Sequence, residues 1–207
     1  MPRPTAAGER EPSVGTNILV PLDGSEVAAV AVGYAEQVAT TLGWGVVLLS
    51  VVECGAAQPR SVPIAPASER PAASWEQWAE QLGTDPKGLR QEAAAAVASM
   101  AAATDHLRAA GRPVAAEIGV GHPRDLIVAR AAATDITLIV MASHGRTGLA
   151  HVLRGSVATG VVDGSSRAVL VVCPFRDPEQ RLDLVHADRL PPEQADAVRR
   201  ALRSIAA

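Results

Sequence analysis

Five short runs of apolar residues recur along the chain, and stretches of helical character separate them. The runs cover residues 18–22, 46–52, 114–118, 136–141 and 168–172. Continuous apolar runs of this length, rich in valine and isoleucine, are typical of strands that are buried on both faces of a parallel sheet. Parallel strands need crossover connections, which are usually helices. The pattern therefore predicts an α/β protein with a parallel sheet.

Helix start and stop signals fill the gaps between these runs. Ser25 is a good N-cap for a first helix, and Gly43 is a good terminator for it. Residues 87–110 have strong helical propensity, and Pro123 suits the first turn of a further helix that runs to about residue 134. Strands and helices therefore alternate along most of the chain.

Two segments do not fit this alternation. Residues 53–73 are rich in proline, alanine and serine without periodicity, so we expect a loop there, followed by a short helix from Ser74 to Leu82. The whole of 54–86 is accordingly interpreted as a loop insertion. Residues 175–207 form a C-terminal extension that is partly helical, because apolar residues recur there at spacings of three and four. That stripe predicts a helix packed on its own domain, or one that docks across a dimer or on a partner.

The fourth apolar run empties into a glycine-rich loop, with Gly145, Gly148 and Gly155 close behind it. Glycines let backbone N–H groups approach an anion without a side chain in the way. A helix starting near Ser156 would point its positive end at the same place. This arrangement predicts a phosphate site, although a plain tight turn would also use glycine.

The loop also resembles a known signature. Ala142-x2-Gly145-x9-Gly155-Ser156 is similar to the G-x2-G-x9-G-(S/T) pattern of the universal stress protein family, and 17–25 and 48–52 resemble that family's first and second strands. One position departs, because Ala142 stands where the pattern has its first glycine. An alanine would cost about 1–2 kcal/mol in a left-handed backbone. If the family's glycine serves only to let the ligand approach an extended backbone closely, alanine is tolerated at this position, as we expect.

The resemblance covers residues 15–174 and implies an architecture. It implies an open, doubly wound sheet with the order 3-2-1-4-5, similar to flavodoxin and Rossmann folds. Residues 1–14 are then a flexible N-terminal segment. The family comparison also implies a homodimer paired through the strand at 168–172, which we expect because an unpaired apolar edge strand invites aggregation.

In a sheet of that order, a ligand crevice lies at the carboxyl ends of strands one and four. Those ends are the segments that the signature selects. The nucleotide-binding branch of the family holds ATP there, so the resemblance implies ATP, or AMP or ADP, as ligand, with Mg²⁺ as a candidate companion. The implied binding residues are Pro21, Leu22, Asp23, Val51, Met141, Ala142, His144, Gly145, Arg146, Thr147, Gly148, Gly155, Ser156 and Val157.

Several of these residues also have an ordinary structural explanation. Asp23 could form an Asx turn with Gly24 and Ser25. Ser156 could simply cap its helix, which is worth about 1 kcal/mol. Val51 lies in a buried strand and needs no functional explanation. His144 directly follows Ser143, but sequence neighbours rarely align as a nucleophile and its base. The expectation of ligand contact rests on the resemblance as a whole.

Composition excludes other functions. The formal net charge is −3 and the basic residues are scattered, so nucleic acid is not an expected partner. No apolar run approaches the roughly 18 residues of a membrane span, and residues 1–15 lack the apolar core of a signal peptide, so we expect a cytoplasmic protein. The cysteines and histidines lack metal-ligand spacing, and no metal ligands or catalytic residues are predicted.

Three functions remain open. The first is an ATP-binding universal stress protein that acts through conformational or protein–protein signalling in a stress response, with slow hydrolysis at most. The second is a nucleotide-free, dimeric member of that family that acts as an interaction module. Gly145, Gly148 and Gly155 argue against it. The third is an enzyme acting on adenine nucleotides, for which these residues supply no acid, base and nucleophile set.

Overall fold

One sheet of seven strands organises the part of the chain that the structure describes, which comprises residues 16–53, 62–66, 73–143, 156–177 and 181–206 of a computed structural model. In chain order the strands are β1 (Asn17–Leu22), β2 (Gly45–Val52), β3 (Val62–Pro66), β4 (Val114–Val120), β5 (Ile136–Ala142), β6 (Ala168–Val172) and β7 (Leu182–Val185).

Helices connect and cover these strands. They are α1 (Glu26–Leu42), α2 (Ala73–Leu82), α3 (Pro86–Ala109), α4 (Pro123–Ala131), α5 (Ser156–Gly164) and α6 (Pro192–Ala206), with a turn of 3₁₀ helix at Ala187–Arg189. Within the described residues, no helix is both long and apolar enough to cross a membrane.

The strand order across the sheet is β3-β4-β2-β1-β5-β6-β7. Its five central strands, β4-β2-β1-β5-β6, pair in parallel. Counted in chain order among themselves, they have the order 3-2-1-4-5. The predicted α/β class and parallel order are therefore confirmed.

Both edges of the sheet differ from the prediction. β3 pairs antiparallel with β4, so the prediction of a continuous loop insertion over 54–86 is wrong at residues 62–66. β7 pairs antiparallel with β6, so 168–172 is not the edge strand that the dimer prediction required. That strand already has a partner on each side within its own chain. Dimerisation itself stays a prediction, but pairing through a free β6 edge was wrong for this fold.

Strands buried on both faces divide the core into two clusters, one on each side of the sheet. Along β1, Ile18 and Val20 belong to the larger cluster and Leu19 to the smaller one, because successive side chains point to opposite faces. Helices α1, α3 and α6 cover the larger cluster, and α4 and α5 cover the smaller one. Trp44, which directly precedes β2, is 5% exposed in the larger cluster.

An ion-pair network ties the sheet to α4 through Glu117 in the middle of β4 and Asp135 just before β5. The Arg130 guanidinium lies 2.7 Å from a Glu117 carboxylate oxygen on β4 and 2.8 Å from an Asp135 oxygen just before β5. The hydrogen bond from Arg130 holds the pKa of Asp135 below its ordinary value, against the opposing effect of partial burial. The charged form of Asp135 is therefore stabilised in the folded state.

This lowered pKa makes part of the stability depend on pH. Protons bind more tightly to Asp135 in the unfolded chain, so its contribution is fully present above about pH 4 and is lost as the pH falls through the folded-state pKa. We expect Asp135→Asn to lower the free energy of unfolding by about 0.5–1 kcal/mol at pH 7, since the carboxylate is partly exposed. Urea titrations from pH 7 to pH 2.5 should show this difference shrinking below pH 4. A difference that stays constant across that range would contradict the assignment.

Candidate functional site

A cavity opens at the carboxyl ends of the parallel strands, where the connections from β1 and β5 leave to opposite faces of the sheet. Its volume is about 230 Å³. Its described lining residues come from the ends of three strands and the starts of three helices: Pro21, Leu22, Asp23, Ala28, Leu49, Val51, Glu53, Pro123, Ile127, Met141, Ala142, Ser143, Ser156, Val157 and Ala158.

The turn after β1 fixes one wall. Gly24 has φ +79°, a left-handed conformation that glycine adopts without strain. This turn lets an Asp23 carboxylate oxygen accept a hydrogen bond from the Ser25 N–H at 2.9 Å. The Ser25 hydroxyl in turn accepts from the Ala28 N–H at 3.1 Å and caps α1. Asp23 therefore does form the Asx turn, and it lines the cavity as well.

The start of α5 forms the opposite wall. Its first three residues, Ser156, Val157 and Ala158, all line the cavity, and its first turn carries no acidic residue. The positive end of this helix therefore faces the cavity without a neutralising carboxylate of its own. An anionic group would be stabilised there.

Packing against α4 holds α5 in place. The Arg124 Nε of α4 donates a hydrogen bond to the Gly160 carbonyl at 3.3 Å. A Cβ on residue 160 would lie 2.5 Å from the Arg124 Cδ, so any larger residue there would require the Arg124 side chain to shift. The end of β5 is held too, because the Ser143 N–H donates to the Val172 carbonyl at 2.8 Å.

The structure brings together every predicted site residue that it describes. Eight of the fourteen lie around the one cavity: Pro21, Leu22, Asp23, Val51, Met141, Ala142, Ser156 and Val157. The other six, His144, Gly145, Arg146, Thr147, Gly148 and Gly155, lie outside the described residues. The described members converge from segments that are more than 130 residues apart along the chain, Pro21 and Val157 among them.

Comparison with known proteins identifies the family. Residues 16–173 match the sequence model of the universal stress protein family, which is more than half of the chain. The chain belongs to the universal stress protein family.

Individual relatives agree with this assignment. Universal stress protein MJ0577 of Methanocaldococcus jannaschii is 30% identical over 160 residues, which are 75% of this chain and 93% of that protein. The structure of universal stress protein UspA from Lactobacillus plantarum is 27% identical, has a TM-score of 0.55, and is matched over 77% of this chain and 98% of its own. The Archaeoglobus fulgidus universal stress protein in complex with dAMP shares the fold, with a TM-score of 0.52 at 19% identity over 76% of this chain and 98% of its own.

Sequence reasoning missed several residues that line the cavity of this universal stress protein. Glu53 is the most informative, because it directly follows β2 and adds a second carboxylate to that of Asp23. The carboxyl ends of parallel strands share one edge of the sheet, so the rule that selected Asp23 would also have selected Glu53. Ser143 directly follows β5 and carries the same signal. Ala28, Leu49, Pro123, Ile127 and Ala158 carry none, since each is an ordinary residue of a strand or helix.

Ala142 has a backbone that alanine readily adopts. It lies in β5, paired with Val172, and among the described residues other than glycine only His186 has a positive φ. The methyl group is therefore compatible with the local conformation. The first glycine of the family pattern is not needed here for a left-handed turn.

We expect Ala142→Gly to destabilise the protein, because the alanine causes no backbone strain that glycine could relieve. Glycine in a strand interior loses more conformational freedom on folding, so the free energy of unfolding should fall by about 0.5–1 kcal/mol. Guanidinium denaturation followed by circular dichroism checks this. An increase in stability would show that alanine is strained at this position after all.

Proposed function

We propose that this cavity binds an adenine nucleotide, ATP or its di- or monophosphate. The observation that carries the proposal is the convergence of a mainly apolar cavity, the Asp23 carboxylate and the N-terminus of α5 at the switch point of the sheet. Apolar walls suit a base, a carboxylate suits the hydroxyls of a sugar, and a helix N-terminus suits phosphate. The three requirements of a nucleotide meet in one place.

Family context supports the same ligand. The fold neighbour from Archaeoglobus fulgidus was solved with dAMP, an adenine nucleotide. The glycine-rich segment with Gly145, Gly148 and Gly155 follows β5 in the sequence and precedes Ser156, the first residue of α5. Its glycines, with Arg146 and Thr147, would extend the phosphate site.

Each wall then has a role. Val51 and Met141 contact the base, Asp23 accepts hydrogen bonds from the ribose, and Ser156 with the first turn of α5 receives the phosphates. Within the described residues no group of three or more His, Cys, Asp or Glu side chains could hold a metal ion, so Mg²⁺ would arrive with the nucleotide, bound to its phosphates. The bound metal would neutralise phosphate charge.

The output of binding is conformational or protein–protein signalling rather than turnover. The described lining of the cavity has carboxylates and serine hydroxyls but no histidine or lysine to activate a nucleophile. We therefore propose slow hydrolysis at most.

Two measurements test the ligand. Native mass spectrometry of the purified protein should detect a retained adenine nucleotide, and calorimetry of the nucleotide-free protein with ATP, ADP, AMP and GTP should show a preference for adenine. Absence of binding at millimolar concentrations of all four would favour the nucleotide-free interaction module instead.

Two substitutions at Asp23 separate its structural role from its ligand role. Asp23→Asn keeps an oxygen that can accept from the Ser25 N–H but removes the charge, whereas Asp23→Ala removes both. We expect both variants to weaken nucleotide binding about tenfold, roughly 1.4 kcal/mol. Only Asp23→Ala should also lower thermal stability, because it loses the Asx turn. Wild-type affinity in a folded Asp23→Asn protein would remove Asp23 from the ribose site.

A bulky residue in the glycine-rich segment should block the phosphates. We expect Gly155→Val to weaken ATP binding by at least about tenfold, because a β-branched side chain would occupy the phosphate position. Adenosine, which lacks phosphate, is the control ligand and should lose much less affinity. Unchanged ATP affinity in a folded Gly155→Val protein would exclude this placement.

A further inference from the structure

The second half of β2 presents one row of side chains to the cavity. Leu49, Val51 and Glu53 line it at alternate positions, as expected for side chains on one face of a strand that continues just past its end. Leu49 is fully buried, Val51 packs against the smaller core cluster, and Glu53 is exposed. The row therefore changes from apolar side chains to a carboxylate at the point where β2 ends.

The two carboxylates of the cavity differ in their local contacts. Asp23 accepts a hydrogen bond from the Ser25 N–H at 2.9 Å and so shapes the turn after β1. Glu53 makes no hydrogen bond or ion pair within the part of the chain that the structure describes. Among the described groups, none therefore competes with a bound molecule for the Glu53 oxygens.

The polar groups of the cavity follow the order of the strands in the sheet. Glu53 follows β2, Asp23 follows β1, and Ser156 begins the helix that comes after β5, while β2, β1 and β5 are neighbours in that order. Adjacent strands lie about 4.8 Å apart, so roughly 10 Å separate the end of β2 from the end of β5. The cavity is therefore polarised along its length, with a carboxylate at the β2 end and a helix N-terminus at the other.

This polarity gives a bound nucleotide one orientation. The carboxylates repel phosphate and the N-terminus of α5 attracts it, so the phosphates lie at the β5 end. The sugar then lies beside Asp23, and the base reaches the β2 end, over Val51 and against Glu53. A carboxylate can only accept hydrogen bonds, so it favours a base edge that carries a donor and opposes one that carries an acceptor.

We propose that Glu53 selects the base: its carboxylate accepts a hydrogen bond from the exocyclic 6-amino group of adenine and opposes purines that carry a 6-oxo group. This role rests on the proposed function, because it assigns Glu53 to the base of the nucleotide that the cavity binds. Guanine and hypoxanthine have a carbonyl oxygen where adenine has its amino group, and the carboxylate repels that oxygen. One side chain at the end of β2 then distinguishes purines that the apolar walls accept equally.

Three nucleotides isolate the contribution of the amino group. Those of adenosine, inosine and purine riboside carry an amino group, a carbonyl oxygen and a hydrogen, respectively, at position 6 of the base. Purine riboside keeps the N1 acceptor of adenosine, so this pair differs in the amino group alone. All three are used with the number of phosphates that the wild-type protein binds most tightly, so that the phosphate site contributes equally.

Three single substitutions complete the design. Glu53→Ala removes the acceptor, whereas Glu53→Gln replaces it with an amide that can also donate to a 6-oxo group. Glu26→Gln is the matched control, because Glu26 is the first residue of α1 at the same end of the sheet but is not among the described lining residues. Both glutamates are exposed, so we expect all three variants to fold, which circular dichroism checks.

Calorimetry of the wild-type protein should give the affinity order adenosine, purine riboside, inosine. In Glu53→Ala the ratio of adenosine to purine riboside affinity should fall about fivefold, the size of one net hydrogen bond. Glu53→Gln should bind the inosine nucleotide about fivefold more tightly than the wild type does. Glu26→Gln should leave the ratios between the three nucleotides unchanged. The gain for inosine is decisive, because damage to the fold would only weaken binding.

Two results would overturn this role of Glu53 while leaving the nucleotide site in place. One is a ratio of adenosine to purine riboside affinity that is the same in the wild type and in Glu53→Ala. The other is a Glu53→Gln protein that discriminates against inosine as strongly as the wild type does. Failure of the folded wild-type protein to bind any of the three nucleotides would instead overturn the proposed function, and the role of Glu53 with it.

Discussion

The burial of the central strands on both faces is the constraint from which the rest of this molecule follows. Because β1, β2 and β5 are apolar on both sides, helices must cover both, and α1 leaves β1 toward one face while α5 follows β5 on the other. The two connections diverge between β1 and β5. A crevice at that point is a product of the topology, and no residue has to be placed specially to open it.

The polar groups at the edge of the crevice belong to turn residues that the fold already needs. Asp23 shapes the turn after β1 and Ser25 caps α1, so a carboxylate is fixed at the cavity edge by local hydrogen bonds. Gly160 permits the contact with Arg124 that holds α5 against α4. Structural roles and the proposed binding role are thus combined at Asp23, which is why a conservative change such as Asp23→Asn separates them better than truncation to alanine.

The parallel part of the sheet could be read from the sequence because continuous apolar runs have one simple explanation. The two antiparallel edge strands, β3 and β7, could not be predicted from the sequence. β3 is a short segment that contains two prolines, and β7 has only four residues, so neither produces a clear period. Their pairing is decided by which sheet edges the folded chain brings within reach. That information is tertiary.

The site shows the same division. Residues at strand ends, such as Asp23 and Met141, could be predicted because the fold and the family pattern agree on them. Ala28 and Ile127 line the cavity from within helices, where small or aliphatic residues look like any other core position. Ala142 departs from the glycine of the family motif, but its backbone is extended. The motif therefore suggested a strain at this position that the backbone does not have.

The position of Trp44 separates the optical signals of folding and of ligand binding. It is buried in the larger cluster at the amino end of β2, whereas the cavity lies at the carboxyl end, and none of the described lining residues is aromatic. The chain also contains Trp75 and Trp78, so in a Trp75→Phe, Trp78→Phe background the emission from Trp44 reports the integrity of the core beneath α1. Because the cavity lies at the other end of β2, we expect its occupancy to leave the surroundings of Trp44 unchanged. Ligand binding and unfolding can then be followed in a single sample, the first with a fluorescent ligand and the second with the emission of Trp44.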